Sequence, residues 1–408
     1  MSLITVVHSK RYKCSSYFST DTSLLLLPTF FSMSLEKSGC GWKRLPMSDN
    51  CGVIDPYRFE LQSLSETTRR IIHNRLCNFL NWLAEFDLKH NEDSLCKQHN
   101  LSASFITENY INETLIIDKG VGDIALDQHI LALQYYYNYL AVSGLTVFKE
   151  FLPHPKLKSI ARQNTKKRTA MKYLSKSLRL LIYRATKSLR DEIILRNGGE
   201  LGLRTKENLG LLLDDFQVGY KTMTGLKTLW LEMKTNKSKQ MFEYHLQGKF
   251  TKGSRHSGGN SRIIVIPRAL LAKYLKYYQQ ERPPSKTNTL LLNNSLNEVG
   301  SSIQRSKGSE CFADTRKDII ELQASAEFNT DMQLLEIDHT YHCLRHSFAT
   351  DKLDEFCAQD GLNAEDISTD HRPFLRLSRI LGHSLNAKTS KIYVHSIFDK
   401  HNLLTVEE

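Results

Sequence analysis

The last quarter of the chain reads His342-Cys343-Leu344-Arg345-His346, then Leu381-Gly382-His383, then Tyr393-Val394-His395. Far upstream, Gly202-Leu203-Arg204 contributes a second guanidinium. An arginine grips two oxygens of one phosphate and stays charged at any working pH. An imidazole exchanges a proton near neutrality. A phenol, with an ordinary pKa near 10, becomes a nucleophile only where a base takes its proton or cations stabilise the charge that develops. The set therefore suits chemistry at a phosphodiester with no metal ion and no cofactor. Singly, each residue is unremarkable: His342 and Arg345 would share one face of any surface helix, and an aromatic at helical spacing usually packs in a core.

The bulk properties agree with a polyanionic partner. The 408 residues carry 55 Lys and Arg against 44 Asp and Glu, a formal net charge of +11, and the pI is about 9.1. Such a balance favours nucleic acid, and the length favours two or three domains. Eight cysteines are scattered at 14, 40, 51, 77, 96, 311, 343 and 357 without metal-ligand spacing, which reads as reduced thiols in a cytoplasmic protein, nucleoid-associated if its polyanion is DNA. No apolar run approaches the roughly 18 residues of a membrane span. Leu24 to Phe31 is short and interrupted by Pro28, so neither a span nor a signal peptide is expected.

Four segments are expected to position the reactive groups. Residues 1–54, rich in Ser, Thr and Leu, read as a disordered arm or as a stretch upstream of a start at Met33 or Met47. Residues 55–150 read as a helical domain. There Ser63-x-x-Glu66 resembles a capping box, followed by an apolar face through Ile72, Leu76, Phe79, Leu83 and Phe86. A second helix runs from Asp123 to Ser143, with Gly144 as its stop. Residues 151–172 read as a basic linker, in a wider stretch, 151–190, that holds twelve Lys or Arg and no acid. Residues 173–408 read as a second domain with a C-terminal tail. Its pattern gives helices over Leu174–Leu189 and Arg204–Leu213, and strands over Thr228–Met233, Met241–Leu246 and Arg262–Ile266. The last two flank a Gly/Ser-rich turn as a hairpin. A helix over Arg268–Arg282 points Leu271, Tyr274, Leu275 and Tyr278 inward, and poorly patterned loops follow over 283–335. The fold class is thus mainly α with a small antiparallel sheet (α+β).

The ordered set Arg204, His342-x-x-Arg345, Leu381-Gly382-His383 and Tyr393, with the fuller strings Gly202-Leu203-Arg204-x-x-Glu207 and Leu344-Arg345-His346-Ser347-Phe348-Ala349-Thr350, resembles the tyrosine recombinase (phage integrase) family over residues 55 to 405. The resemblance implies a SAM-like helical core-binding domain and a catalytic domain closing as a clamp on double-stranded DNA. It implies that Tyr393 attacks the scissile phosphate to give a 3′-phosphotyrosyl link and a free 5′-hydroxyl. Arg204, Arg345 and His383 would hold the pentacoordinate phosphorus, and His342 would move the tyrosine's proton. A hairpin lysine, Lys249 or alternatively Lys252, would protonate the leaving oxygen. Glu207, one turn beyond Arg204, would orient it. The 38-residue step from Arg345 to His383 departs from the family and suggests an insertion around Ala358–Pro373.

Phosphate contacts are expected from Arg69, Arg70 and Arg75 at the start of the first long helix. Lys156, Lys158, Arg162, Lys166, Lys167 and Arg168 would supply others from the linker, and Lys252 from the hairpin. Each would make binding salt-sensitive. The resemblance further implies a site-specific DNA integrase that is a monomer when free and a homo-tetramer on DNA, with the tail through Ile397, Phe398 and Leu403 docking on a neighbouring subunit. A type IB topoisomerase using the same chemistry, or a non-catalytic DNA-binding factor of the same fold, are the competing readings.

Overall fold

The structure is a computed structural model that describes residues 3–9, 11, 14–46, 57–165, 172–251, 260–325, 332–363, 370–382, 397, 400 and 401. The chain divides into two compact units, one over Met1–Arg168 and one built from Thr169–Gly253 and Ser257–Glu408. The described residues are mainly helical, with four two-stranded antiparallel pairs.

In the first unit, residues expected as a disordered arm are ordered. Strands β1 (Thr5–Ser9) and β2 (Cys14–Phe18) pair, helix α1 spans Leu26–Ser38, and β3 (Cys40–Pro46) pairs with β4 (Tyr57–Ser63). Tyr17, Phe31 and Leu35 lie in the same core as Ile72, Leu76, Phe79 and Leu83 of α2 (Glu66–His90). Polar anchors reinforce the docking. Asn81 Oδ1 accepts from the Leu3 and Ile4 backbone N–H groups at 2.8 and 2.9 Å, and Asn138 donates to the Trp42 carbonyl at 3.0 Å. The sequence hid α1 because Pro28 looks like a breaker. It sits in the first turn, where its missing N–H is not needed.

Helix α2 has its N-cap two residues later than the Ser63/Glu66 pattern suggests. Its N-cap is Ser65, whose hydroxyl accepts from the Thr68 backbone N–H at 3.1 Å. A short turn, α3 (Ala103–Phe105), leads into a π-helix over Ile106–Asp118, and α4 (Asp123–Val142) follows. Gly144 adopts φ +73° just beyond α4, as a C-terminal stop requires. Part of the expected linker is regular structure, and the division between the units, after Arg168, falls within it. Pro155–Asn164 forms helix α5 in the first unit, with Ala161 fully buried and Pro155 at its start. A helix with Pro in its first turn needs no N–H there, so Pro155 begins an element within this stretch.

The second unit opens with α6 (Lys176–Arg184) and α7 (Leu189–Glu200), then a 3₁₀ turn over Thr205–Gly210. The hairpin β5 (Phe216–Val218) and β6 (Lys221–Met223) precedes α8 (Leu226–Thr235). That helix replaces the strand expected over Thr228–Met233. Leu226, Leu229, Trp230 and Met233 are buried, a three-and-four spacing that the run of bulky residues concealed. Strands β7 (Met241–Leu246) and β8 (Arg262–Pro267) pair with Leu246 opposite Arg262 and Met241 opposite Pro267. Helix α9 (Arg268–Gln280) follows, turning Leu271 and Tyr274 into the core. Helix α10 (Lys307–Gln323) occupies part of the stretch expected as loops; its buried set of Gly308, Cys311, Phe312, Thr315 and Ile319 is too mixed to announce a helix. Helices α11 (Tyr341–Asp360) and α12 (Arg372–Leu381) complete the unit.

If residues 26–38 belong to the core, Phe31→Ala will cost about 3–5 kcal/mol of the first unit's stability, read as a shifted urea midpoint. An unshifted midpoint would return the N-terminal segment to the status of an arm.

Candidate active site

The Gly-Leu-Arg string works as a unit. Gly202 has φ +63°, and a Cβ there would fall 2.5 Å from Phe348 Cδ1, so the position tolerates only glycine. Its carbonyl accepts from Arg345 Nη1. Leu203 is fully buried. Arg204 then caps the 3₁₀ turn, and three residues on Glu207 folds back. Its carboxylate accepts from the Arg204 backbone N–H at 2.8 Å and from Arg204 Nη1 at 3.0 Å.

Glu207 is 0% exposed and gathers more than Arg204. Arg262, the first residue of β8, meets it through both terminal nitrogens, at 3.1 and 2.8 Å. Arg345 Nη1 lies 3.6 Å from the same carboxylate. Burial pushes the Glu207 carboxyl up, but the guanidiniums of Arg262, Arg345 and Arg204 outweigh it and hold the group below the ordinary carboxylate value of 4.5. Burial also draws Arg262 below its usual range, against the pull of Glu207.

The Leu-Gly string closes the cluster from the other side. The Leu381 carbonyl, at the end of α12, accepts from Arg345 Nη2 at 2.8 Å and from Arg262 Nη1 at 2.7 Å. Gly382 ends the helix at φ +64°, and a Cβ on it would meet Arg262 Nη1 at 3.1 Å. Three guanidiniums from three distant stretches thus surround one carboxylate, three positive charges against one negative. Exposure is uneven: the Arg204 side chain is 22% exposed, Arg262 4% and Arg345 1%. An anion approaching this cluster meets Arg204 first. Beside it, a shallow groove is lined by Asn260, Ser261, Arg262, Arg379 and Gly382.

His342 is exposed at the start of α11, and its ring lies edge-on to that of His346, with centroids 4.7 Å apart. Lys249 is exposed in a 3₁₀ turn, Gly248–Phe250, directly after β7. Its Nζ lies 4.9 Å from the Phe250 ring centroid. The structure therefore brings Arg204, Arg345 and Glu207 together and puts His342 one turn from Arg345. His383, Tyr393 and Lys252 lie outside the described residues, as do Lys166, Lys167 and Arg168.

Two residues at this site were not singled out from sequence. Arg262 carried a signal, since Arg262, Ile264 and Ile266 share the inward face of β8 and a charge there demands a buried partner. His346, 4% exposed, carried none beyond its place in the motif. In the first unit, Arg69 has partners within the chain. Its Nε and Nη1 bind Glu36 at 3.1 Å and the Leu64 carbonyl at 2.9 Å, which fastens α2 to the α1 region. Arg75 donates to Gln128 at 2.9 Å. Lys158 lies 3.7 Å from Asp127 and Arg162 3.9 Å from Asp123. Arg70 and Lys156 are exposed.

No family model matches the chain, and no curated protein matches it. Solved structures do. The XerH site-specific recombinase bound to difH substrate in a pre-cleavage complex is 15% identical, with 82% of this chain and 79% of that chain covered and a TM-score of 0.50. The Tn1549 transposon integrase in complex with transposon right end DNA is also 15% identical, covering 93% of this chain and 98% of that chain at a TM-score of 0.48. The likeness to XerH shows the fold: the chain has the mainly helical architecture of the tyrosine recombinases, with small antiparallel sheets.

Removing the central carboxylate leaves buried guanidiniums without their counter-charge, so Glu207→Ala should cost about 3–5 kcal/mol in chemical denaturation. The pH dependence has a fixed sign. With its folded pKa below 4.5, Glu207 contributes fully above that pH, and the contribution is lost as pH falls through the lower, folded value. Glu207→Gln should therefore flatten the acid limb of the stability profile. An acid limb identical to that of the unaltered chain would contradict the cluster. Gly382→Ala forces a side chain into left-handed backbone, a cost of about 1–2 kcal/mol, measurable by the same denaturation.

Proposed function

We propose that the chain is a site-specific DNA recombinase or integrase that cleaves and rejoins strands through Tyr393. The observation that carries the reading is the convergence of Arg204, Arg262 and Arg345 on Glu207, with His342 one helical turn from Arg345. Such a surplus of buried positive charge favours a bound anion, and the fold supports identifying that anion as a DNA phosphate.

In this reading the phenol oxygen of Tyr393 attacks the scissile phosphorus. The phenolic proton passes to His342. The bond from phosphorus to the 5′-oxygen breaks, and that oxygen takes a proton from Lys249, which the β7 hairpin presents to solvent. Arg204 contacts the non-bridging oxygens directly, since it is the exposed member of the cluster. Arg345 supplies charge from behind, its two terminal nitrogens fixing the backbones of Gly202 and Leu381. His383 adds a hydrogen bond to the phosphorane. Donors fixed before the reaction stabilise the charge that accumulates in the transition state without reorganising. The phosphotyrosyl bond conserves the phosphodiester's energy, so a new 5′-hydroxyl reverses the sequence without ATP.

Two units clamping a duplex, a tetramer assembled on two sites and phosphate contacts by Arg70 and Lys156 complete the proposal. A partly randomised duplex carrying a nick near its centre tests it, because loss of the short 5′-hydroxyl fragment traps the covalent complex. The chain should form a detergent-resistant DNA adduct, Tyr393→Phe should form none, and Arg204→Ala should form it at least about 100-fold more slowly. Adducts of equal yield from Tyr393→Phe would sink the reading.

A further inference from the structure

We propose that Lys400 is a positioning residue, whose ammonium, held between Asp351 and Asp354, fixes the segment that carries Tyr393 against α11. The inference rests on the reading of Tyr393 as the nucleophile. Lys400 Nζ lies 2.6 Å from Asp354 Oδ2 and 3.4 Å from Asp351 Oδ1, and its side chain is 11% exposed. His401 Nε2 adds a contact to Asp354 at 3.4 Å. Ile397, 1% exposed, belongs to the small core formed by Phe348, Leu353, Phe374, Leu377 and Leu381. An apolar anchor and an ionic anchor thus hold the tail three residues apart on its own unit. In the single chain Ile397 packs on its own unit, whereas docking on a neighbouring subunit was expected of the tail in the tetramer; Phe398 and Leu403 lie outside the described residues.

The receiving carboxylate is set independently of the lysine. Arg179 Nη2 donates to Asp351 Oδ2 at 2.6 Å, and Tyr173 Oη donates to Oδ1 at 2.8 Å. Asp351 therefore keeps its orientation, and half of its charge pairing, when Lys400 is removed. The apolar contact of Ile397 is non-directional; the pairing of the ammonium with Asp351, whose carboxylate Arg179 and Tyr173 already hold, adds a fixed point. Placing a charge at 11% exposure costs desolvation, and what it returns is register rather than much stability. Tyr393 is four residues before Ile397, and four residues extend by no more than about 14 Å. Fixing Ile397 and Lys400 therefore restricts where the nucleophile can go. A displacement of about 1 Å from attack geometry can cost 100-fold in rate, so the rate is sensitive to this anchor while DNA affinity is not.

Lys400→Met and Asp354→Asn break the contact from opposite sides, and Lys400→Arg keeps the charge. Two quantities decide the matter: deuterium uptake over residues 382–401 in the free full chain, and the single-turnover rate of adduct formation with the nicked randomised duplex. Both disrupting variants should raise uptake over 382–401 while leaving α7 protected. They should slow adduct formation about tenfold or more at an unchanged Kd for the same duplex, and Lys400→Arg should recover both. Unchanged uptake or an unchanged rate in Lys400→Met overturns the role of Lys400, as does an equal loss in Lys400→Arg. No adduct from the unaltered chain would instead sink the reading of Tyr393 itself, so the two failures are distinct.

Discussion

Glu207 accepts hydrogen bonds from Arg204 and Arg262 and lies within ion-pair distance of Arg345, with no exposure to solvent. These partners come from the 3₁₀ turn, from β8 and from α11, so the carboxylate joins three parts of the second unit that are remote in sequence. A buried carboxylate is costly unless matched by charge and hydrogen bonds. Here the match is excessive, and the excess is useful, since it leaves a positive field whose outermost member, Arg204, reaches solvent. Two backbone carbonyls, of Gly202 and Leu381, accept from the two terminal nitrogens of Arg345. The charged cluster and the turns that carry the motif residues therefore fix one another.

This arrangement explains why the legible parts of the sequence were legible. The Gly-Leu-Arg and Leu-Gly strings combine a glycine in left-handed backbone, a buried leucine and a group aimed at the cluster. Such demands leave a local imprint. The β7–β8 pair and α9 also showed themselves through alternation and helical spacing, because each has one buried face.

What the sequence concealed is equally physical. Helix α8 reads as a strand because Leu229, Trp230 and Leu231 are consecutive and bulky, and only the tertiary environment selects which of them faces inward. The N-terminal elements are short and bury their apolar residues against α2 and α4, so they have no internal periodicity to detect. The pairing of Arg69 with Glu36 was not legible, because composition cannot distinguish a cation paired within the chain from one facing solvent. Arg262 was visible only as a charge on an inward-facing strand position. Its meaning depends on Glu207, 55 residues earlier.

The account stands on the phenol of Tyr393 becoming bonded to a DNA phosphate. The direct measurement is mass spectrometry of the trapped adduct after exhaustive nuclease and protease digestion. The account predicts one modified peptide, with a nucleotide linked through its 3′-phosphate to Tyr393. A nucleotide on any other residue, or linkage through a 5′-phosphate, would contradict it.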